Sequence, residues 1–220
     1  MLTDVASLRD QLWLLGHDET RDLQPRIDAR ALAVGLAGAT VTELLIDQHI
    51  VVNQGCIYPS GRGKPTDPVA AAVLATIRSL SHAPLLGDVL REPVPRFAER
   101  VHALLVATGV LYEERRTLRG ARYRLVNDNS VTWIRSEFVR RLYRSDIDDP
   151  AVDTLCALIW ALNLHTTLVL PYSTGEADDI LRTITEQIPV RAGPMSPFFA
   201  IPHIALGVRA TIGDLATAPF

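Results

Sequence analysis

Five arginines, Arg115, Arg116, Arg119, Arg122 and Arg124, fall within ten residues, and no acid lies among them. Leu118 sits between them in Thr117-Leu118-Arg119-Gly120, where a turn is expected. Guanidinium groups stay charged and present a planar fork of donors, so such a cluster suits phosphate or another anion. At an anionic interface each would contribute about 1 kcal/mol. Glu113 and Glu114 stand at the base of the segment and can pair with some of these arginines, at about 0.2–1 kcal/mol per cross-strand pair. A solvated polar hairpin face is therefore the plainer reading, and a basic finger with an apolar tip the functional one.

Other chemistry-bearing patterns are thin. His17, His49, His82, His102, His165 and His203 are scattered, without the helical or Cys/His spacing of metal ligands. His17-Asp18-Glu19 are adjacent on a turn, so their side chains diverge. Ser60-Gly61-Arg62-Gly63-Lys64-Pro65 imitates a phosphate loop, but Tyr58 and Pro65 occupy the places that need a glycine and a hydroxyl. Thr108-Gly109-Val110 lacks the serine of a nucleophile elbow. Cys56 and Cys156, far apart in sequence, read as buried or idle thiols. These patterns predict no catalytic residue, no metal and no cofactor, and hence no enzyme.

The elements that would carry the finger are mainly helical. Val5, Leu8, Leu12 and Leu15 give an amphipathic first helix stopped at Gly16. Asp28 is the expected N-cap of a helix running to Asp47, with Leu32, Leu36 and Ala39 on its apolar stripe. Gly35 and Gly38 within it point to a close approach by another helix or a ligand. His49–Asn53 and Cys56–Tyr58 form a small hairpin. Asp67-Pro68 opens a helix over Val69–Leu80. Pro93–Thr108 is a further helix, ended by Gly109. Leu111–Arg116 and Ala121–Val126 make the arginine hairpin. Helices follow at about Ser130–Tyr143, Pro150–Asn163, Glu176–Ile188 and Ile201–Leu215. The expected core includes Leu8, Leu12, Leu36, Leu104, Leu105, Leu158 and Ile159.

Composition sets the outer bounds. The chain has 220 residues, 48% of them apolar, and a net charge of −3, so anion binding must come from a local patch. Lys64 is the lone lysine. The start of the chain does not read as a signal peptide. Thr154–Pro171 and Phe198–Phe220 fall short of the roughly 20 apolar residues of a spanning helix, and both are expected as buried core helices. The reading is a cytoplasmic, mainly α protein: one helical domain over residues 1–220, with a central helix bundle and two short β-hairpins. A helix followed by a basic hairpin also resembles half of a winged helix. Arg96, Arg100 and His102 are too few for base readout, and no nucleic-acid partner is expected.

Several segments in order resemble the Golgi phosphoprotein 3 family, bacterial members included. Ser7-Leu8-Arg9-Asp10-Gln11-Leu12-Trp13-Leu14-Leu15-Gly16 is similar to its opening helix. Ala33-Val34-Gly35-Leu36-Ala37-Gly38-Ala39 with Glu43-Leu44 is similar to its glycine-containing helix. Leu105-Val106-Ala107-Thr108-Gly109-Val110-Leu111 resembles the helix that runs into the family hairpin. Asp149-Pro150 and Leu155-Cys156-Ala157-Leu158-Ile159 resemble a later core helix. The resemblance implies a non-enzymatic peripheral membrane protein that binds phosphatidylinositol 4-phosphate, with a hairpin serving membrane insertion and oligomer contacts.

The family's headgroup positions, a tryptophan, an arginine and two basic residues, fall here on Asp28, Ala37, Pro95 and Ala98. Neighbouring Arg26, Arg30, Arg96 and Arg100 become the headgroup candidates. The hairpin candidates are Arg115, Arg116, Leu118, Arg119, Arg122 and Arg124. The expected partner is an anionic lipid headgroup at the inner face of the membrane. A protein scaffold that oligomerises through the hairpin, with itself or another protein, is the alternative; a small-molecule enzyme or winged-helix-like DNA binder ranks lower.

Overall fold

A helix that is apolar on every face can be stable only when surrounded by protein. α2 (Ala29–Ile46) is such a helix: every residue from Leu32 to Thr42 is buried, as are Leu44 and Leu45. Asp28 caps it as expected, its carboxylate accepting from the backbone N–H of Arg30 and Ala31, each at 3.0 Å. The computed structural model describes residues 7–80, 83–92, 94–117, 120–127, 129–144 and 149–217.

Around α2 pack α1 (Leu8–Gly16), α3 (Pro68–Ser79), α4 (Leu86–Arg91), α5 (Val94–Ala107), α7 (Pro150–Ala161) and α9 (Ile201–Thr217). α6 (Asn129–Tyr143) lies against α1 and α7, and α8 (Thr174–Ala192) against α7 and α9. The close approach foreshadowed by the two glycines is between helices. A Cβ at Gly35 would stand 2.6 Å from Leu162 Cδ1, and one at Gly38 would stand 2.4 Å from Val208 Cγ2. Leu12, Leu36, Leu105, Leu158 and Ile159 are buried, whereas Leu8 and Leu104 only pack against the rim of the core. Val5 lies outside the described residues.

Three antiparallel pairs decorate the bundle: β1 (His17–Asp18) with β2 (Gln24–Pro25), β3 (Ile50–Asn53) with β4 (Cys56–Pro59), and β5 (Leu111–Thr117) with β6 (Gly120–Leu125). The first pair and α4 go beyond the sequence reading. Two-residue strands and a six-residue helix without a side-chain N-cap leave almost no periodic signal. Among the described residues there are also two short 3-10 helices, Leu164–Thr167 and Pro197–Ala200.

The expectation of a buried core helix holds for the first apolar window over α7, where Thr154 to Ala161 are all buried, and needs correcting at the second. The helical segment Pro197–Thr217 is long and apolar enough to cross a membrane, yet only 28% of its apolar 18-residue window is buried, against 72% for Ala29–Ile46. The physical reason is that α9 meets the bundle on one stripe, through Ile201, Ile204, Ala205, Val208 and Thr211, and turns Leu206 outward. The other window breaks at Asn163, whose left-handed φ of 52° ends α7 and starts the 3-10 helix.

Candidate functional site

The arginine hairpin grows directly out of α5. Gly109, at φ 74°, supplies the left-handed stop, and the Val110 N–H returns to the Leu105 carbonyl at 2.9 Å. β5 and β6 then pair from Leu111↔Leu125 to Thr117↔Gly120. The register shifts between Glu113 and Arg115, a bulge that leaves Glu114 unpaired in the ladder. Bulges re-aim side chains, and the Glu114 carboxylate here meets both Arg124 Nε at 3.1 Å and Arg122 Nε at 3.6 Å. The hydrogen bond from Arg124 to Glu114 holds that guanidinium above its usual pKa. Asp22, a hundred residues earlier, takes Arg122 as well, its Oδ1 accepting from Nε at 2.8 Å.

Two of the five arginines are therefore held by carboxylates at the hairpin base. The expected pairing with Glu114 is present; the Asp22 contact is one that sequence adjacency could not disclose. Arg115 and Arg116 belong to β5, opposite Arg122 and Ala121. Their side chains, and all of Leu118 and Arg119, lie outside the described residues.

An aromatic column ties this base to the bundle. Trp13 stacks on His17 at 3.8 Å and on His102 at 5.9 Å, and His102 meets the Tyr123 ring edge-on at 4.4 Å. These contacts join α1, α5 and β6. His17 Nδ1 lies 2.7 Å from the Trp13 carbonyl. Burial, with a smaller push from neighbouring Arg26 and His102, brings His17 down to about 4, although the Trp13 carbonyl opposes that shift. Burial also lowers His102. Next to the column, a polar cleft of about 460 Å³ opens between Glu19, Asp22, Tyr112, Glu114, Tyr123 and Arg124.

The four headgroup candidates separate into two kinds. Arg26 is a structural cation: Nε donates to the His17 carbonyl at 3.1 Å, Nη2 to Glu19 at 2.9 Å, and Nη1 stands 3.5 Å from Asp18. Arg30 in the first turn of α2, and Arg96 and Arg100 one turn apart on α5, are exposed. No hydrogen bond or ion pair holds these three among the described residues. Of the family positions, Asp28 is spent on capping α2, Ala37 is buried at 1% exposure, and Ala98 packs against the core. The side chain of Pro95 is not described.

His17, Asp18 and Glu19 are likewise occupied. His17 faces Trp13, Asp18 accepts from Thr20, and Glu19 bridges Arg26 and Arg135. Among the described residues no group of three or more His, Cys, Asp or Glu is arranged to hold a metal ion.

Architecture and site together define a helical bundle that presents an arginine-bearing hairpin from a base tied to the bundle by aromatic and ionic contacts. The chain matches the family model of Golgi phosphoprotein 3 (GPP34) over residues 8–196 and belongs to that family. At family level this membership points to lipid and phosphatidylinositol 4-phosphate binding. No curated protein matches the chain.

Proposed function

We propose that the chain is a non-enzymatic protein that binds anionic phospholipid surfaces peripherally, at the cytoplasmic face of a membrane, with the β5–β6 hairpin as its contact. The observation that carries this reading is the split within the hairpin. On the hairpin's return strand Arg122 and Arg124 are neutralised by carboxylates, Arg115 stands level with Arg122, and the sequence places Arg116 and Arg119 further toward the tip, around Leu118. A charge-balanced base with a cationic end suits contact with a flat anionic surface. Arg30, Arg96 and Arg100 are exposed cations that can add headgroup contacts.

The positions Asp28, Ala37 and Ala98 supply no guanidinium, so recognition follows surface charge more than the stereochemistry of one phosphoinositide. For the absence of catalysis, support comes from the surroundings of the reactive side chains. The Cys156 thiol is completely buried and pushed far up, and the buried His17 ring is stacked on Trp13 with Nδ1 on the Trp13 carbonyl.

Vesicle co-sedimentation tests the reading. Wild-type protein should sediment with vesicles containing phosphatidylserine or phosphatidylinositol 4-phosphate and stay in the supernatant with phosphatidylcholine alone. Replacing Arg115, Arg116 and Arg119 by alanine should weaken binding by about 1 kcal/mol per charge. Unchanged sedimentation of the triple variant, with an altered mass in solution, would instead assign the hairpin to oligomer contacts.

A further inference from the structure

Buried polar nitrogens without a partner are rare in native folds. Three occur where α7, the 3-10 helix Leu164–Thr167 and α9 come together: Trp160 Nε1, His165 Nδ1 and Arg209 Nη1 are each shut off from solvent, and none makes a hydrogen bond. Trp160 is 8% exposed and His165 3%. The Arg209 guanidinium carbon lies 4.7 Å from the centroid of the Trp160 ring. His165 is near enough to feel that charge, which adds to the larger effect of burial in lowering its pKa. The left-handed turn at Asn163 ends α7 just after Trp160 and starts the 3-10 helix that carries His165.

Two of the three are one-sided; His165 Nδ1 becomes an acceptor when the neutral ring keeps its proton on Nε2, toward Asp178. An indole N–H and a guanidinium are donors only, and a guanidinium cannot shed its charge to escape burial. Asp178 stands 3.7 Å from His165, but on Nε2, the other ring nitrogen. The Ile159 carbonyl also bears on the His165 ring without closing a hydrogen bond to Nδ1. What is missing at Trp160 and Arg209 is an acceptor, and the one positive charge beside the indole makes an anion the fitting one. Arg209 as a residue is half-buried, although its Nη1 is shut off from solvent.

We propose that Trp160 and Arg209 form a binding site for a small oxyanion of the phosphate type, separate from the hairpin and from the α2 and α5 positions discussed above. Arg209 supplies the charge, and the Trp160 N–H supplies direction. The proposal does not depend on the hairpin reading. Free inorganic phosphate and a phosphomonoester headgroup offer the same oxygens.

Calorimetric titration of the full chain with inorganic phosphate and with sulfate tests the site, with thermal unfolding in parallel. Saturable one-to-one binding is expected, and added phosphate should raise the melting temperature by mass action. Trp160→Phe keeps the ring and removes the N–H; affinity should fall about tenfold, the scale of one hydrogen bond to a charged group. Arg209→Met should abolish binding. Arg209→Lys, which keeps the charge and the burial of the stem, should bind between the two and covers the case in which the methionine variant fails to fold. Phosphatidic acid vesicles that compete with phosphate would identify the headgroup as the source, and vesicles that do not compete would identify the free anion. The site is overturned if the wild type binds neither anion saturably, or if Trp160→Phe and Arg209→Lys both bind like the wild type. A crystal grown in phosphate with only water against Trp160 Nε1 would overturn it equally.

Discussion

Arginine plays opposite parts in two regions of this molecule. In the bundle, Arg9 and Arg141 are among the largest fully buried side chains. Arg9 forks onto Asp67 with two bonds of 3.0 Å and gives its backbone N–H to Glu43 at 2.9 Å. Arg141 forks onto Asp153, which is equally buried and also receives Arg191 Nη1 at 3.1 Å. At the hairpin base, Arg122 and Arg124 make similar contacts with Asp22 and Glu114, but all four side chains are more than a third exposed. The contacts look alike and differ in what water does to them. At Arg141 and Asp153 neither partner can be resolvated, so that pair is a condition of folding. Arg9 is as deeply buried, although its partner Asp67 keeps 34% of its side chain exposed. At the hairpin base, solvent replaces a lost partner at little cost. Only the second kind of arginine can be lent to a ligand.

The largest effect should come from breaking an interior pair. Asp153→Ala leaves Arg141 and Arg191 facing a void where a carboxylate stood, and about 3–5 kcal/mol of stability should be lost in urea unfolding. A loss under about 1 kcal/mol would mean that Arg141 reaches water in solution, and the contrast between the two regions would collapse. Leu36→Ala calibrates the same interior without charge. Leu36 is fully buried in α2, so the truncation should cost about 2–5 kcal/mol, in the range of the broken ion pair.

His17 shows what the interior does with a cation that has no carboxylate of its own. Its folded pKa, about 4, lies below the ordinary value of 6.5. The neutral form is the one the fold accepts, so the stability it brings is fully present above pH 6.5. It is lost as pH falls toward 4, because the unfolded chain takes up the proton first. The slope approaches 1.36 kcal/mol per pH unit, about 3 kcal/mol over the window. His17→Gln should flatten that part of the stability profile, and an unchanged slope in the variant would remove His17 as its source.

What the sequence disclosed follows the same division between local and distant causes. Asp28, Asp67-Pro68, Asp149-Pro150 and Gly109 mark helix ends by chemistry within a turn of themselves, and each sits where it was expected. Gly35 and Gly38 announced a close approach, though not that Leu162 and Val208 would make it. The buried pairs were illegible. Arg9 finds Asp67 58 residues away, and Arg122 finds Asp22 at a separation of 100. No propensity or spacing rule connects such residues. For this reason composition found the hairpin and overstated its free charge, since one of its neutralising acids comes from the β1–β2 turn. The outward face of α9 was missed for a related reason: an apolar run shows that burial is possible and not which side of the helix receives it.

The smallest effect belongs to the exposed pair and is the sharpest check on the comparison. Arg122→Ala and Asp22→Ala should each change stability by at most about 1 kcal/mol, and a double-mutant cycle should return a coupling of about 0.2–1 kcal/mol. Raising the salt should shrink that coupling, because exposed charges are screened over about 8–10 Å at physiological ionic strength. The coupling across Arg141 and Asp153 should hardly respond to salt, since both lie where ions do not reach. Asp22→Ala has a second consequence that a merely structural pair would lack: it releases Arg122 from one carboxylate while the aromatic column still holds the hairpin base. If the hairpin meets anionic lipid, this variant should sediment with phosphatidylserine vesicles at least as well as the wild type, despite being no more stable. Weaker sedimentation would show that the Asp22 contact is needed to aim the hairpin, and the arginines of its base would then count with those of the interior.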